Sequence, residues 1–176
     1  MAQVSIGQVE NLEELIRGLE SVRDALETTC REQILAAERQ CAEAREETQN
    51  SESMLEQASQ AEQAAHQALA EAQQNLESAE NALSAAEAAL SACEAQPPNE
   101  GGNGPDCSGE ESAVSDAKAA VDAAQSAVEE AQAALEKTTE DRQRMEQRVE
   151  RAKQALSMAE QVSERVRQEC TLRMQE

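Results

Sequence analysis

Proline occurs in this chain only at Pro97, Pro98 and Pro105, and Gly101, Gly102, Gly104 and Gly109 crowd the same stretch. The segment from Gln96 to Asp106 cannot continue a helix, because proline removes a backbone donor and glycine raises the entropy cost of ordering. On either side the residues are strong helix formers, chiefly Ala, Glu, Gln and Leu. The chain therefore reads as helix, loop, helix. Composition limits what those helices can build. Phe, Tyr and Trp are absent from the 176 residues, so the core lacks the side chains that each bury roughly 150–250 Å² in globular domains. A compact single-core enzyme fold is not expected on that ground. With 36 acidic against 15 basic residues the net charge is -21, which opposes nucleic acid, as does the lack of aromatic stacking platforms. No apolar run approaches the roughly 18 residues of a membrane span.

Both arms repeat every seven residues. On the first, Leu55, Leu69, Leu76, Leu83 and Leu90 share position a, and Ala58, Ala65, Ala72, Ala79, Ala86 and Cys93 share position d. The frame runs backwards through Cys41/Ala44 and Ile34/Ala37 to Cys30. On the return arm a holds Val114, Val121, Val128, Leu135, Val149 and Leu156, and d holds Ala117, Ala124, Ala131, Met145, Ala152 and Ala159. A repeat sustained over this many heptads predicts an all-α, long antiparallel two-helix coiled-coil hairpin with an alanine-rich seam. Antiparallel packing opposes a with d. Setting Leu83 against Ala117 makes the numbers of facing residues total 200, and that rule holds from one end of the arms to the other. The organisation it implies is an amphipathic N-terminal helix over 1–27, a first arm over 28–96, a tip loop over 97–109 and a return arm over 110–176. At 1.5 Å per residue each arm spans roughly 95 Å.

The register makes an independent statement about the cysteines. It opposes Cys93 with Cys107 and Cys30 with Cys170, which predicts one disulfide at the tip and one at the base. In the chain-entropy model their closures are worth about 3 and about 5 kcal/mol. Cys41 faces Ala159 and is either an inert core thiol or a link to another chain. No C-x₂-C unit exists and His66, the sole histidine, is far from every cysteine pair, so no metal site and no cofactor are expected.

Glu62 and Arg142 put charges at a positions in adjacent layers. They either pair across the seam and set the register, or extend outward from a narrow alanine core. The patch from Thr48 to Ser53 is the weakest seam of the first arm, yet the frame is the same on both sides of it, which predicts one unbroken helix. Charge is uneven: from Glu56 to Glu136 the only basic residue is Lys118, whereas Arg142, Arg144, Arg148, Arg151, Arg165 and Arg167 gather near the base.

The register leaves the residues before Asp24 with nothing opposite them, although they are the most apolar part of the chain. Val9, Leu12, Leu15, Ile16, Leu19, Val22 and Leu26 form a full helical stripe, and the spacing slips to successive fours at Leu26, Cys30 and Ile34. An apolar stripe of this continuity does not stay in water. It meets a second copy, a small helical partner protein, the chain's own base or residues beyond Glu176, with intermolecular association favoured. Gly18 within it permits a close crossing.

No catalytic constellation is present: carboxylates on solvated helices without a pocket carry no acid/base chemistry, and His66 has no nucleophile or orienting group beside it. The chain is expected to be non-enzymatic. Its opening Ala2-Gln3-Val4-Ser5-Ile6-Gly7, followed by the amphipathic Gln8–Leu26 helix and a long hairpin, resembles the helical N-terminal domains of bacterial polymorphic toxins, broadly of the WXG100/LXG type. That resemblance implies an export or partner-binding domain of a secreted effector that pairs with small helical proteins. Disulfides point to an oxidising destination, and Met1–Val9 does not read as a Sec signal, so the expected location is secreted or cell-surface by another route, with a cytoplasmic location as the alternative. The alternative function is a rigid spacer arm in a fibre, appendage or scaffold.

Overall fold

A computed structural model describes the backbone of residues 6–97 and 105–175, with side-chain surroundings from residue 11 onward. Two helices account for nearly all of it: α1 (Ile6–Glu94) and α2 (Ser108–Arg173). They pack against each other as an antiparallel coiled-coil hairpin, and the described residues contain no strand. Val9, in the predicted stripe, lies outside the residues whose side chains are described.

Each helix end is closed by local chemistry. At the C-terminus of α1 the last turn tightens, with the Ala95 N–H donating to Ser91 O (3.1 Å) and the Gln96 N–H to Cys93 O (3.1 Å), before Pro97 stops the chain. At the start of α2 the Asp106 carboxylate accepts from the Ser108 N–H at 3.2 Å, and Glu110 and Glu111 lie in the first turn against the positive end of the helix dipole. Hydrogen bonding from the Ser108 side chain, and secondly from its N–H, holds the Asp106 carboxyl below its ordinary pKa.

The chain divides into two units, and each contains a piece of both helices. The tip unit is Met54–Glu146. Its inward side chains on α1 are Leu55, Ala58, Glu62, Ala65, Leu69, Ala72 and onward at alternating steps of three and four to Cys93. On the return side they run from Cys107, just before α2, through Val114, Val121, Val128 and Leu135 to Met145. Ala72, Val114 and Val121 are buried, and the flanking Leu positions are half-buried. A leucine or valine against an alanine brings two backbones close but leaves the leucine rim wet.

The terminal unit is Met1–Ser53 with Gln147–Glu176. Its seam is built from smaller side chains that are better covered: Cys30, Ala37, Cys41, Thr48 and Ser51 on α1, and Val149, Ala152, Ser163 and Cys170 on α2. The weak patch from Thr48 to Ser53 forms no break. The Thr48 hydroxyl donates to Ala44 O at 2.8 Å, so its polarity is absorbed within the helix. Ser51, fully buried, contacts Glu47 Oε1 at 3.5 Å. Both residues act as alanine-sized fillers of the seam.

The tip disulfide forms as expected. Cys93 and Cys107 are bonded, with Cα atoms 5.9 Å apart and a sequence separation of 14. Cys107 directly precedes α2, and its carbonyl accepts from the Glu111 N–H at 2.9 Å. Replacing Cys107 with Ser should lower the unfolding free energy by about 3 kcal/mol through the lost loop constraint. A urea titration read at 222 nm on the variant and the parent protein checks this, and helix content at zero urea should be unchanged.

Candidate functional site

The thiol pair, the seam charges and the unpaired stripe are the features through which this fold can act. The base disulfide expected between Cys30 and Cys170 is not formed. Both residues are free thiols, 2% exposed, and they meet across the last layer of the seam as the register requires. Cys30 and Cys170 are both inside helices, whereas Cys107 lies just before α2. The Cys170 thiol also donates to Gln33 Oε1 at 3.8 Å. Its hydrogen bonding with Cys30, with burial adding to it, holds the Cys170 thiol above its ordinary pKa. A thiol so protected is a poor nucleophile. Cys41 is also free and buried in the seam, which is the inert core role rather than a link presented to another chain.

Glu62 and Arg142 take the paired alternative. Glu62 Oε2 lies 2.7 Å from Arg142 Nε, with the side chains 18% and 28% exposed, and the Thr139 hydroxyl donates to Glu62 Oε1 at 2.9 Å. Arg142 also contacts Glu146 one turn on. The short Nε contact is an ion pair rather than a hydrogen bond, since the buried Nε–H has no aligned acceptor among the described residues. The pair satisfies charge while leaving one donor unmet, so it specifies register more than it stabilises.

Flanking the seam of the terminal unit are four ion pairs between the helices that sequence reading missed. Arg167 meets Glu38 at 2.7 Å, Arg45 meets Glu160 at 3.0 Å, Lys153 meets Glu52 at 2.9 Å, and Arg148 meets Glu47 at 2.7 Å. The first three join e positions to e positions and the last joins g to g, the combination that antiparallel packing brings together. Applying the facing rule to the flanks as well as the seam would have found them. Each is exposed and adds little alone. Together they explain why the basic residues of α2 gather at this end. Arg148 also holds the Glu47 carboxyl below its ordinary pKa.

The stripe at the start of α1 is open. Leu12, Leu15, Ile16, Leu19 and Val22 are 48% to 68% exposed, and only Leu26, next to the end of α2, is half-buried. Asn11, Glu14, Leu15, Gly18, Leu19 and Val22 line a shallow groove along one edge of it, and a Cβ added at Gly18 would meet nothing within 4 Å. His66 is exposed on the outer surface of α1. No helix among the described residues is long and apolar enough to cross a membrane. No protein-family model, curated protein or solved structure matches the chain.

Two outcomes follow from these environments. Arg142→Leu leaves Glu62 half-buried without its partner and should cost about 1–3 kcal/mol, whereas Glu62→Leu combined with Arg142→Leu should recover most of that or exceed the parent; denaturant midpoints of the three proteins decide it. The second concerns alkali. Because folding raises the pKa of Cys170 above its ordinary 9.0, the associated stability is complete below that pH and is lost as pH rises through the raised value. The melting temperature should therefore fall more in the parent protein than in Cys170→Ala as pH rises past 9.0.

Proposed function

We propose that this chain is a non-enzymatic helical-hairpin interaction module, the export or partner-binding domain of a secreted bacterial effector. The observation that carries the reading is the open apolar stripe. Five large aliphatic side chains sit on one face of α1 with no α2 residue over them, while the adjoining seam on the same helix is covered. Leaving such a face in water has a solvation cost that a partner removes, at roughly 25 cal/mol per Å² of apolar surface covered. The bonded tip cysteines favour an oxidising location such as the cell exterior. The opening of the chain and its helix–hairpin order support the likeness to WXG100/LXG-type domains, whose partners are small helical proteins.

The rigid spacer is the second reading, favoured by the inter-helix ion pairs that pin the register in the terminal unit. The two readings differ in what the stripe is for. Leu19→Asp should leave helix content and the tip disulfide intact and abolish any association of the chain, measured by multi-angle light scattering across a concentration series. Association that survives Leu19→Asp unchanged would move the contact elsewhere and remove the reason for the module reading.

A further inference from the structure

We infer that Cys30 and Cys170 together form a two-thiolate site for a soft monovalent cation, copper(I). Such a site is independent of the module reading and of whatever covers the stripe. The two facing cysteine pairs of the hairpin differ in state. Cys93 and Cys107 are bonded, whereas Cys30 and Cys170 keep their thiols although the register opposes them as well. The two sulfurs are within hydrogen-bonding reach of each other. Both residues are 2% exposed, the best covered of the buried apolar side chains, in a seam that elsewhere fills its layers with Ala and Val. One sulfur is carried by α1 and the other by α2, so the packing of the helices holds the pair together before any ion arrives.

The number of ligands selects the ion. Cys41, the third free thiol, is eleven residues from Cys30, roughly 16 Å along the axis of α1. His66 belongs to the tip unit, and no three His, Cys, Asp or Glu side chains among the described residues come together to hold an ion. Zinc, which asks for four ligands in structural sites, is therefore not served, and the expectation of no metal site rested on that four-ligand chemistry. Two thiolates alone suit a soft closed-shell ion content with two ligands in line, and thiolates select copper(I). Two metal–sulfur bonds of roughly 2.3 Å set in line hold sulfurs about 4.6 Å apart, against about 2 Å in a disulfide. Unbonded sulfurs in hydrogen-bonding contact are nearer the wider spacing.

Loading exchanges protons for the ion without electron transfer. Each thiol releases its proton to water, each sulfur donates a lone pair to copper(I), and the product carries one negative charge. Gln33 serves both states. Its Oε1 accepts from the Cys170 thiol at 3.8 Å, and the same amide turned over presents N–H donors to a thiolate. Arg173 and Glu169 act on Cys170 in opposite senses and meet each other at 3.8 Å, so neither charge bears on the sulfur alone. Local opening of the seam admits the ion, and its closure shields the thiolates from water and oxidants. The bound ion would tie α1 to α2 at the base as Cys93–Cys107 does at the tip.

A competition for copper(I) tests the inference on the full chain. Alkylation of the unfolded protein first counts the thiols, and Cys30, Cys41 and Cys170 should all react. A chain in which Cys41 alone reacts has its base pair bonded and overturns the inference. Copper(I), added without oxygen as its acetonitrile complex, is then shared between the chain and bicinchoninate. The parent chain should withdraw one equivalent, and X-ray absorption should show two sulfur neighbours and no nitrogen or oxygen. Cys30→Ser and Cys170→Ser should each lose that retention, and Cys41→Ser should keep it. Copper left entirely with bicinchoninate overturns the inference, as does retention that survives Cys30→Ser or is lost in Cys41→Ser. Where a serine variant loses its helix content by circular dichroism, the sulfur count in the parent chain decides, and any count other than two overturns the site.

Discussion

Everything in this fold depends on a register that holds two helices together through side chains too small to hold them by bulk. A seam of Leu, Val and Ala buries little per layer, and a slip of one layer would cost little if apolar contact were the only interaction. The chain removes that freedom with features that are meaningful in one alignment alone. The Cys93–Cys107 bond fixes the pairing at the tip. Glu62 and Arg142 charge the seam in adjacent layers and pair across it, so a slip would part them and leave both charges in the seam unpaired. Along the terminal unit, Glu38, Arg45, Glu47 and Glu52 each meet an opposite charge on α2 in this register. Specificity comes from covalent and ionic pairs, and the apolar seam supplies the contact that they align.

The fold was legible because helix and coiled coil are the structures in which sequence spacing maps most directly onto space. The seven-residue repeat named the inward side chains, and the facing rule placed Cys93 on Cys107 and Cys30 on Cys170, as found. The rule failed only where proximity was read as a bond. Whether two facing cysteines close depends on how near their backbones come, and residue numbers do not contain that distance. The ion pairs on the flanks were hidden for a different reason. They occupy e and g positions, where most charges on a helical hairpin simply meet water, and only a register already in hand tells the paired ones from the rest.

The candidate site was legible in part. The stripe from Leu12 to Val22 stood out as apolar and unopposed, and it is exposed in the structure. What it meets was not legible, because one chain's pattern specifies a face and leaves its occupant open. The structure adds which face of α1 the described residues of α2 fill, and the stripe lies on the continuation of that face.

The stripe joins the seam through the irregular spacing at Leu26, Cys30 and Ile34. Inserting an extra four-residue step into a heptad array unwinds the supercoil locally, and within one uniform pair of helices it would misalign every following layer. Here it does not misalign the seam, because the frame from Cys30 to Cys93 is unbroken on the side that faces α2. The step is tolerated because it lies at the edge of that pairing, with no layer of α2 beyond it to disturb. Selection for the α1–α2 seam alone would place no demand on residues before it, and an exposed helix end would be expected to drift towards polar side chains. Leu12, Leu15, Leu19, Val22 and Leu26 instead keep a regular frame of their own, which is the pattern the proposed interaction module would use.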